Sequence, residues 1–157
     1  MNSALYGLVV YGVGCVIPTP LDQTQQTPNY SPVFVTSQVQ PRFGPLGPLS
    51  QSQLLSITMV ASDANLDDTL QARLFELING TLVATGQTTT LNPIVPAGDD
   101  ATLRLGGFEL ALCAGKAPAS IHYIYAVVAD RGFQSPTSSV VSGNGLSDTN
   151  HWELSCM

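Results

Sequence analysis

The sequence predicts an all-β protein of about seven or eight short strands packed as a β-sandwich. Short segments rich in Val, Ile, Leu, Thr and Tyr recur along the chain, and turn residues such as Gly, Pro, Asn and Asp separate them. The dipeptide Asn79-Gly80 lies between two such segments. It is the strongest short signal of a β-hairpin, because both central residues of a type I′ turn need positive φ. Short strands at this spacing are typical of a sandwich.

The first strands are predicted from β-branched and alternating segments that begin after residue 31. Residues 32–39 are β-branched and partly alternating, which favours a first strand. The Pro- and Gly-rich residues 41–48 predict a loop. Residues 54–62 alternate apolar and small polar side chains, which predicts a strand with one face in the core. That face carries Leu55, Ile57, Met59 and Ala61.

A further strand is predicted over residues 69–78, after a loop at residues 63–68. Its alternation places Leu70, Ala72, Leu74 and Glu76 on one face, and Gln71, Arg73, Phe75 and Leu77 on the other. A helix over residues 66–78 is the alternative, because the leucines at 66, 70, 74 and 77 also fit a helical stripe. The hairpin turn that follows favours the strand.

The second half of the chain continues the pattern of strands and turns. Residues 81–90 predict the strand after the hairpin, and residues 92–100 predict a loop with two prolines. Residues 101–105 and 108–113 predict one long strand or two short ones, with Gly106-Gly107 as a bulge or a bend. After a turn at residues 114–118, the remaining strands are predicted at residues 120–130, 138–141 and 150–156.

The start of the chain predicts export and lipid attachment. Residues 4–14 are uncharged and largely apolar, a run shorter than the roughly 20 residues that span a bilayer but long enough for a signal-peptide core. The motif Gly12-Val13-Gly14-Cys15 resembles the lipobox of bacterial lipoproteins. The resemblance implies a signal peptide over residues 1–14, lipidation of Cys15 and attachment to a membrane. The alternative is that residues 4–13 form a buried strand, with Cys15 as a small core residue.

Composition divides the rest of the chain into a tether and a domain. Residues 15–30 carry three prolines among Gln and Thr without an apolar period, which predicts an extended tether. The globular domain is expected to cover residues 31–157.

The cysteine count bears on the compartment. The chain has three cysteines, so that Cys113 and Cys156 remain as a pair able to form one disulfide if Cys15 carries lipid. Disulfides persist in oxidising compartments, where an exported protein resides. The alternative is that both are buried free thiols.

Two segments resemble bacterial immunoglobulin-like and cadherin-like domains. Residues 60–70 place an acidic loop before a Thr-Leu strand, and residues 125–133 form a late strand that ends in Asp and an aromatic residue. The resemblance implies an antiparallel immunoglobulin-like β-sandwich. Together with the leader, the chain is similar to bacterial lipoproteins that carry one such domain, which implies a location at the outer membrane or cell surface. A shared fold does not identify an activity.

The acidic loop contains four candidate calcium ligands, Asp63, Asn65, Asp67 and Asp68. Alternating oxygen-bearing side chains on a tight loop can converge on calcium, which takes about six to eight oxygen ligands. A further ligand is expected from Asp99, Asp100 or Asp130. The simpler alternative is a solvated turn in which Asp63 and Asn65 bind their own backbone.

Charge and motifs argue against nucleic-acid binding and catalysis. Only 10% of residues are charged, and eleven carboxylates against five Lys and Arg give a net charge of −6. Binding to a phosphate backbone needs clustered Lys and Arg, so nucleic acid is not expected as a partner. The sequence has no Gly-x-Ser-x-Gly, His-Glu-x-x-His or Gly-rich phosphate loop, and neither His122 nor His151 has a ligand at metal-site spacing. The chain is therefore expected to be non-enzymatic, with no cofactor other than calcium.

The sequence thus favours a lipid-anchored surface or periplasmic module that binds a protein partner. One alternative is a calcium- or carbohydrate-binding adhesin module, with Tyr123, Tyr125, Phe133 and Trp152 as a sugar platform. Another is a structural subunit of a surface filament or secretion apparatus that retains residues 1–14. The chain has one lysine, Lys116, with which to protect exposed strand edges. Self-association through a strand edge is therefore a further hypothesis.

Overall fold

The computed structural model describes residues 28–94 and 102–157, which form eight strands and no helix. The strands are β1 (Val33–Phe34), β2 (Gly44–Leu49), β3 (Leu55–Ser62), β4 (Leu70–Ile78), β5 (Thr81–Pro93), β6 (Leu103–Leu110), β7 (Ile121–Ala129) and β8 (Ser147–Cys156). They form one sheet in the order β1-β3-β6-β5-β4-β7-β8-β2, curled into a half-barrel. The predicted all-β class is confirmed. The predicted signal peptide, Cys15 and most of the tether lie outside the described residues.

The sheet is mixed, because β2 runs parallel to β8 while the other neighbouring strands are antiparallel. The loop predicted at residues 41–48 is therefore wrong, since Gly44–Leu49 is β2. A strand at the end of the sheet tolerates prolines such as Pro45 and Pro48, because a missing N–H on its unpaired side costs no ladder bond. Gly47 has φ 119°, and a Cβ there would lie 2.6 Å from the Ser155 carbonyl oxygen, so only glycine fits.

The hairpin and its two strands agree with the sequence pattern. Residues 70–78 form β4 rather than a helix. Asn79 and Gly80 have φ 49° and 78°, as a type I′ turn requires. The following strand, β5, extends to Pro93 and includes residues that were predicted as a loop. Residues 103–110 form one continuous strand, β6, which runs through Gly106-Gly107.

The strand predicted at residues 138–141 is wrong, since this segment has turns and a single bridge between Phe133 and Val141. Hydrogen bonds from Arg73 explain why this segment forms turns and not the predicted strand. Arg73 Nη1 donates to the carbonyl oxygens of Ser135 and Ser138 at 2.6 and 3.0 Å. These carbonyls therefore bind a side chain instead of a neighbouring strand, and the segment covers the outer face of β4.

The core includes Trp152, the bulkiest of its fully buried side chains. The rings of Phe43 and Trp152 lie 4.6 Å apart, and those of Phe34 and Phe43 lie 5.3 Å apart. The indole Nε1 donates to the Pro41 carbonyl oxygen at 3.0 Å. These contacts attach the segment directly before β2 to β8. Further core side chains include Ile57, Met59, Leu70, Leu74, Ile124 and Leu154.

Candidate functional site

The acidic loop begins where β3 ends, and its first residue is buried. Asp63 is 1% exposed, and its Oδ1 accepts a hydrogen bond from the Asn65 backbone N–H at 2.9 Å. This is the local turn chemistry that Asp commonly supplies. The Asp63 side chain therefore shapes the loop at its start.

Asp130, at the end of β7, joins the loop through Asn29. Its Oδ2 accepts from Asn29 Nδ2 at 2.7 Å, and its Oδ1 accepts from the Leu146 N–H at 2.8 Å. Asn65 Nδ2 in turn donates to Asn29 Oδ1. We call Asn29, Asp63, Asn65 and Asp130 the acidic end. It links the chain before β1 to the ends of β3 and β7.

Asp63 carries the unusual electrostatics of the acidic end. Its Oδ2 is buried and accepts no hydrogen bond from the described residues. Burial raises the pKa of Asp63, and repulsion from Asp68 and Asp130 adds to the rise, against the Asn65 N–H and the charge of Arg104. An unpaired buried carboxylate oxygen is costly, since its lost hydration is not replaced.

The four predicted calcium ligands do not share one environment. Asp67 is exposed and Asp68 is half-buried, and both line a cleft of about 340 Å³ with Asn29 and Arg131. In residues 28–94 and 102–157, no group of three or more His, Cys, Asp or Glu side chains is placed to hold a metal ion. Asp130 does approach the loop, whereas Asp99 and Asp100 lie outside the described residues. Calcium binding stays a prediction.

The predicted cysteine pair is consistent with the structure. The sulfur atoms of Cys113 and Cys156 are 2.03 Å apart, and the Cα atoms are 5.6 Å apart. Both residues are buried. The bond attaches the segment between β6 and β7 to the last residue of β8.

A second polar group was not predicted and lies near the disulfide. Lys116 Nζ lies 2.7 and 2.6 Å from the two Glu76 carboxylate oxygens. His122 Nδ1 lies 2.7 Å from Glu76 Oε1, and His122 Nε2 lies 2.7 Å from Ser120 Oγ. We call Glu76, Lys116, Ser120 and His122 the Glu76 cluster. The only sequence signal was that alternation places Glu76 on the same strand face as Leu70 and Leu74, where a carboxylate among core residues would need a cation beside it.

The four aromatic residues considered as a sugar platform are separated in the structure. Trp152 is in the core, and Phe133 packs edge-on against Phe75 and lies 4.2 Å from the Arg73 guanidinium. Tyr123 and Tyr125 instead flank His151, whose ring stacks on Tyr125 at 5.0 Å. The four rings therefore do not form one platform.

The long strand β5 has an unpaired edge in the described part of the chain. It pairs with β4 from Thr81 to Leu91, but with β6 only at Asn92 and Pro93. No charged residue occurs between Glu76 and Asp99. Edge strands of this kind usually carry Lys or Pro, which discourage pairing with another chain.

The described residues include no helix with the length and apolar character needed to cross a membrane. No family model matches the chain, and no curated protein shows significant similarity to it.

Proposed function

We propose that the chain is a non-enzymatic, exported module that binds a protein partner through the edge of β5 and is anchored through a lipid on Cys15. The unpaired, uncharged edge of β5 carries the proposal. The lipobox-like motif before Cys15 supports the anchor, and the Cys113–Cys156 bond is in keeping with an oxidising compartment.

The strand order supports an immunoglobulin-like relationship. The neighbours β1-β3-β6 and β5-β4-β7-β8 follow the order in which immunoglobulin-like domains arrange the strands of their two sheets. In the chain described here, β5 joins these two groups of strands into one sheet. Such domains commonly present loops and strand edges to partners, which is consistent with binding at β5.

The chemistry of β5 favours an extended peptide segment as the bound group. Unpaired backbone N–H and C=O groups along an edge form hydrogen bonds with any added strand. Exposed Thr81, Val83, Thr88 and Thr90 provide short β-branched side chains next to that edge. Thr and Val suit cross-strand contacts in a sheet. The partner is expected to contribute one uncharged, extended segment.

Photo-crosslinking in the native host tests this proposal. With p-benzoylphenylalanine at Val83, we expect one dominant covalent adduct with a protein, because this side chain flanks the edge. Adding Thr90→Lys should remove most of the adduct, since a lysine on an edge strand opposes pairing. The mass of the adduct identifies the partner, and the intact mass of the unreacted chain should show an N-terminal Cys15 with a diacylglycerol group.

The matched control places the same crosslinker at Glu153, an exposed residue of β8, which β4 and β7 separate from β5 in the sheet. Equal adducts from Val83 and Glu153, or an adduct that Thr90→Lys leaves unchanged, would contradict binding at the edge. An unmodified chain that retains residues 1–14 would contradict the anchor without bearing on the edge.

Calcium binding at the acidic end is a second candidate function, favoured by the unpartnered Oδ2 of Asp63. Two carboxylates and two amide oxygens are donor types that calcium prefers. A cation there would give Asp63 Oδ2 a partner and oppose its repulsion with Asp130. Without a cation, the raised pKa means that the Asp63 contribution to stability falls as pH rises through that pKa.

We expect calcium to raise the Tm of the protein at neutral pH. At a concentration 100 times Kd, binding stabilises the folded state by about 2.7 kcal/mol, a shift of several degrees. Asp63→Asn should abolish the shift, yet keep a Tm in EDTA at or above that of the wild type, because the unpaired buried charge is gone. Asp67→Asn, at an exposed position, is the control and should retain the shift. A wild-type Tm that is the same in calcium and in EDTA would exclude this function.

A further inference from the structure

A cleft of about 400 Å³ lies where the segment between β1 and β2 meets β8. We call it the Arg42 cleft, and its lining is Thr36, Ser37, Arg42, Phe43 and Asn150. One of these residues is a cation and none is a carboxylate, although the chain has eleven carboxylates against five Lys and Arg. The Arg42 cleft is therefore a cationic site on an acidic protein.

Thr36 and Ser37 are the two central residues of a tight turn that follows β1. The Gln38 N–H donates to the Val35 carbonyl oxygen at 2.8 Å, which closes this turn. The Val35 N–H donates in turn to the Val60 carbonyl oxygen of β3 at 2.9 Å, so the start of the turn is attached to the sheet. Both central side chains are exposed. The turn therefore supplies two accessible hydroxyls to the Arg42 cleft.

The backbone on both sides of Arg42 is held by contacts with the core. The Pro41 carbonyl oxygen accepts from the indole Nε1 of Trp152 at 3.0 Å, and the Phe43 ring lies 4.6 Å from the ring of Trp152. The Arg42 side chain itself is exposed. The core thus fixes the point from which this side chain extends, while the guanidinium stays accessible to a ligand.

Asn150 provides an amide donor from β8. Its Oδ1 accepts a hydrogen bond from the His151 N–H at 2.9 Å. A backbone N–H is a donor, so the amide atom that it contacts is the oxygen, and the other amide atom is Nδ2. Asn150 is half-buried, and its Nδ2 finds no acceptor in the part of the chain that the structure describes. The Nδ2 group is therefore available to a ligand.

The other donors of the Arg42 cleft are also without a partner in residues 28–94 and 102–157. The Arg42 guanidinium makes no ion pair or hydrogen bond with these residues, and the hydroxyls of Thr36 and Ser37 make none either. Asp148 lies on the same face of β8 as Asn150. Its two oxygens, however, accept the N–H groups of one residue of β1 and one of β8, each at 2.8 Å. Asp148 therefore attaches β1 to β8 and does not pair with the guanidinium.

We propose that the Arg42 cleft binds a carboxylate-bearing sugar of the hexuronic acid class. A guanidinium donates two parallel hydrogen bonds to a carboxylate, and its single charge matches that of one carboxylate. The net charge of −6 opposes multiply charged anions such as phosphate. The side chains of Thr36, Ser37 and Asn150 can both donate and accept, which suits the hydroxyls of a sugar ring. The volume of about 400 Å³ is within the range of small-molecule sites, and no lining residue belongs to β5.

Titration of the full chain with methyl glucuronoside, followed by ¹H–¹⁵N nuclear magnetic resonance, tests the ligand class. We expect saturable shifts of the Asn150 side-chain amide and of the Thr36 and Ser37 backbone amides. Methyl glucoside has the same ring with a hydroxymethyl group in place of the carboxylate. It should bind at least about tenfold more weakly, because it loses the charge-assisted bonds to Arg42. Equal affinity for the two glycosides would overturn the role of the carboxylate, and acetate that binds as tightly as the glucuronoside would overturn the sugar class.

Substitutions of two exposed arginines separate the site from the overall charge of the protein. Arg42→Gln should weaken the binding of methyl glucuronoside at least about tenfold and leave the Tm nearly unchanged. Arg131→Gln makes the same change of charge in a different cleft and should bind as the wild type does. Asn150→Asp keeps the size of the side chain but puts a second negative charge beside the bound carboxylate, so it should also remove binding. Wild-type affinity in Arg42→Gln, or an equal loss in Arg131→Gln, would overturn the proposal.

Discussion

Replacing Cys113 and Cys156 together by alanine should lower the free energy of unfolding by about 4 kcal/mol. The bond joins residues 43 positions apart, and a loop of that size loses considerable entropy in the unfolded chain. Alanine is the suitable substitute, because both cysteines are buried and a serine hydroxyl would need a new hydrogen-bond partner. Urea unfolding of the double variant and of the oxidised wild type measures the difference.

Chemical reduction distinguishes the contribution of the S–S bond to stability from that of the buried cysteine side chains. Wild type in dithiothreitol keeps both sulfur atoms in the core, so it should lose most of the same stability without the small cavities that alanine leaves. Local backbone bonds between Ala119, Ser120 and Cys156 remain in both cases, so the native fold should persist at low urea. A loss below about 1 kcal/mol for both samples would show that the bond contributes little, contrary to the loop-entropy estimate.

Local sequence signals predicted the parts of the fold that depend on nearest neighbours. The Asn79-Gly80 turn fixed the hairpin, because its positive φ values are a property of the dipeptide itself. The alternation in residues 54–62 correctly placed Ile57, Met59 and Ala61 in the core. The all-β class follows from such signals, which do not depend on the order of the strands in the sheet.

Features that depend on distant residues escaped the sequence analysis. Gly44–Leu49 has the composition of a loop, and it becomes a strand because β8 and Trp152 lie beside it. Arg73 was correctly predicted to lie on the face of β4 opposite to Leu74. Its burial, however, depends on the segment 133–141, which covers that face of the strand. No pattern in the sequence shows that β2 lies beside β8, or that the segment 133–141 lies on β4.

In the candidate sites too, the sequence predicted local features and missed contacts between distant residues. The Asx turn from Asp63 to Asn65 is local and was among the predicted alternatives. The link from Asp130 through Asn29 to Asn65 spans the chain, and only the loose expectation of a distant Asp anticipated it. The Glu76 cluster combines residues 40 and 46 positions from Glu76, so the sequence showed only that Glu76 shares a strand face with Leu70 and Leu74.

Replacing Trp152 by alanine should have the other large effect, a loss of about 3–5 kcal/mol of unfolding free energy. The side chain is fully buried, packs on Phe43 and donates to the Pro41 carbonyl oxygen, so truncation leaves a cavity and an unpaired acceptor. Because these contacts hold Pro41 and Phe43, directly before β2, on β8, β2 should detach before the rest of the sheet unfolds. Trp152→Phe should lose less, since an aromatic ring still fills part of the site.

Two measurements separate this local effect from general destabilisation. Hydrogen exchange at low urea should show β2 amides losing protection in Trp152→Ala, while amides of β4 and β7 stay protected. Ile121→Ala is the control, because Ile121 is 59% exposed and should cost less than about 1 kcal/mol. Uniform loss of protection over β2, β4 and β7 would instead mean that Trp152 supports the whole core and that β2 is not an independently weaker edge. The outcome decides whether the parallel edge strand is held mainly by one indole ring or by the sheet as a unit.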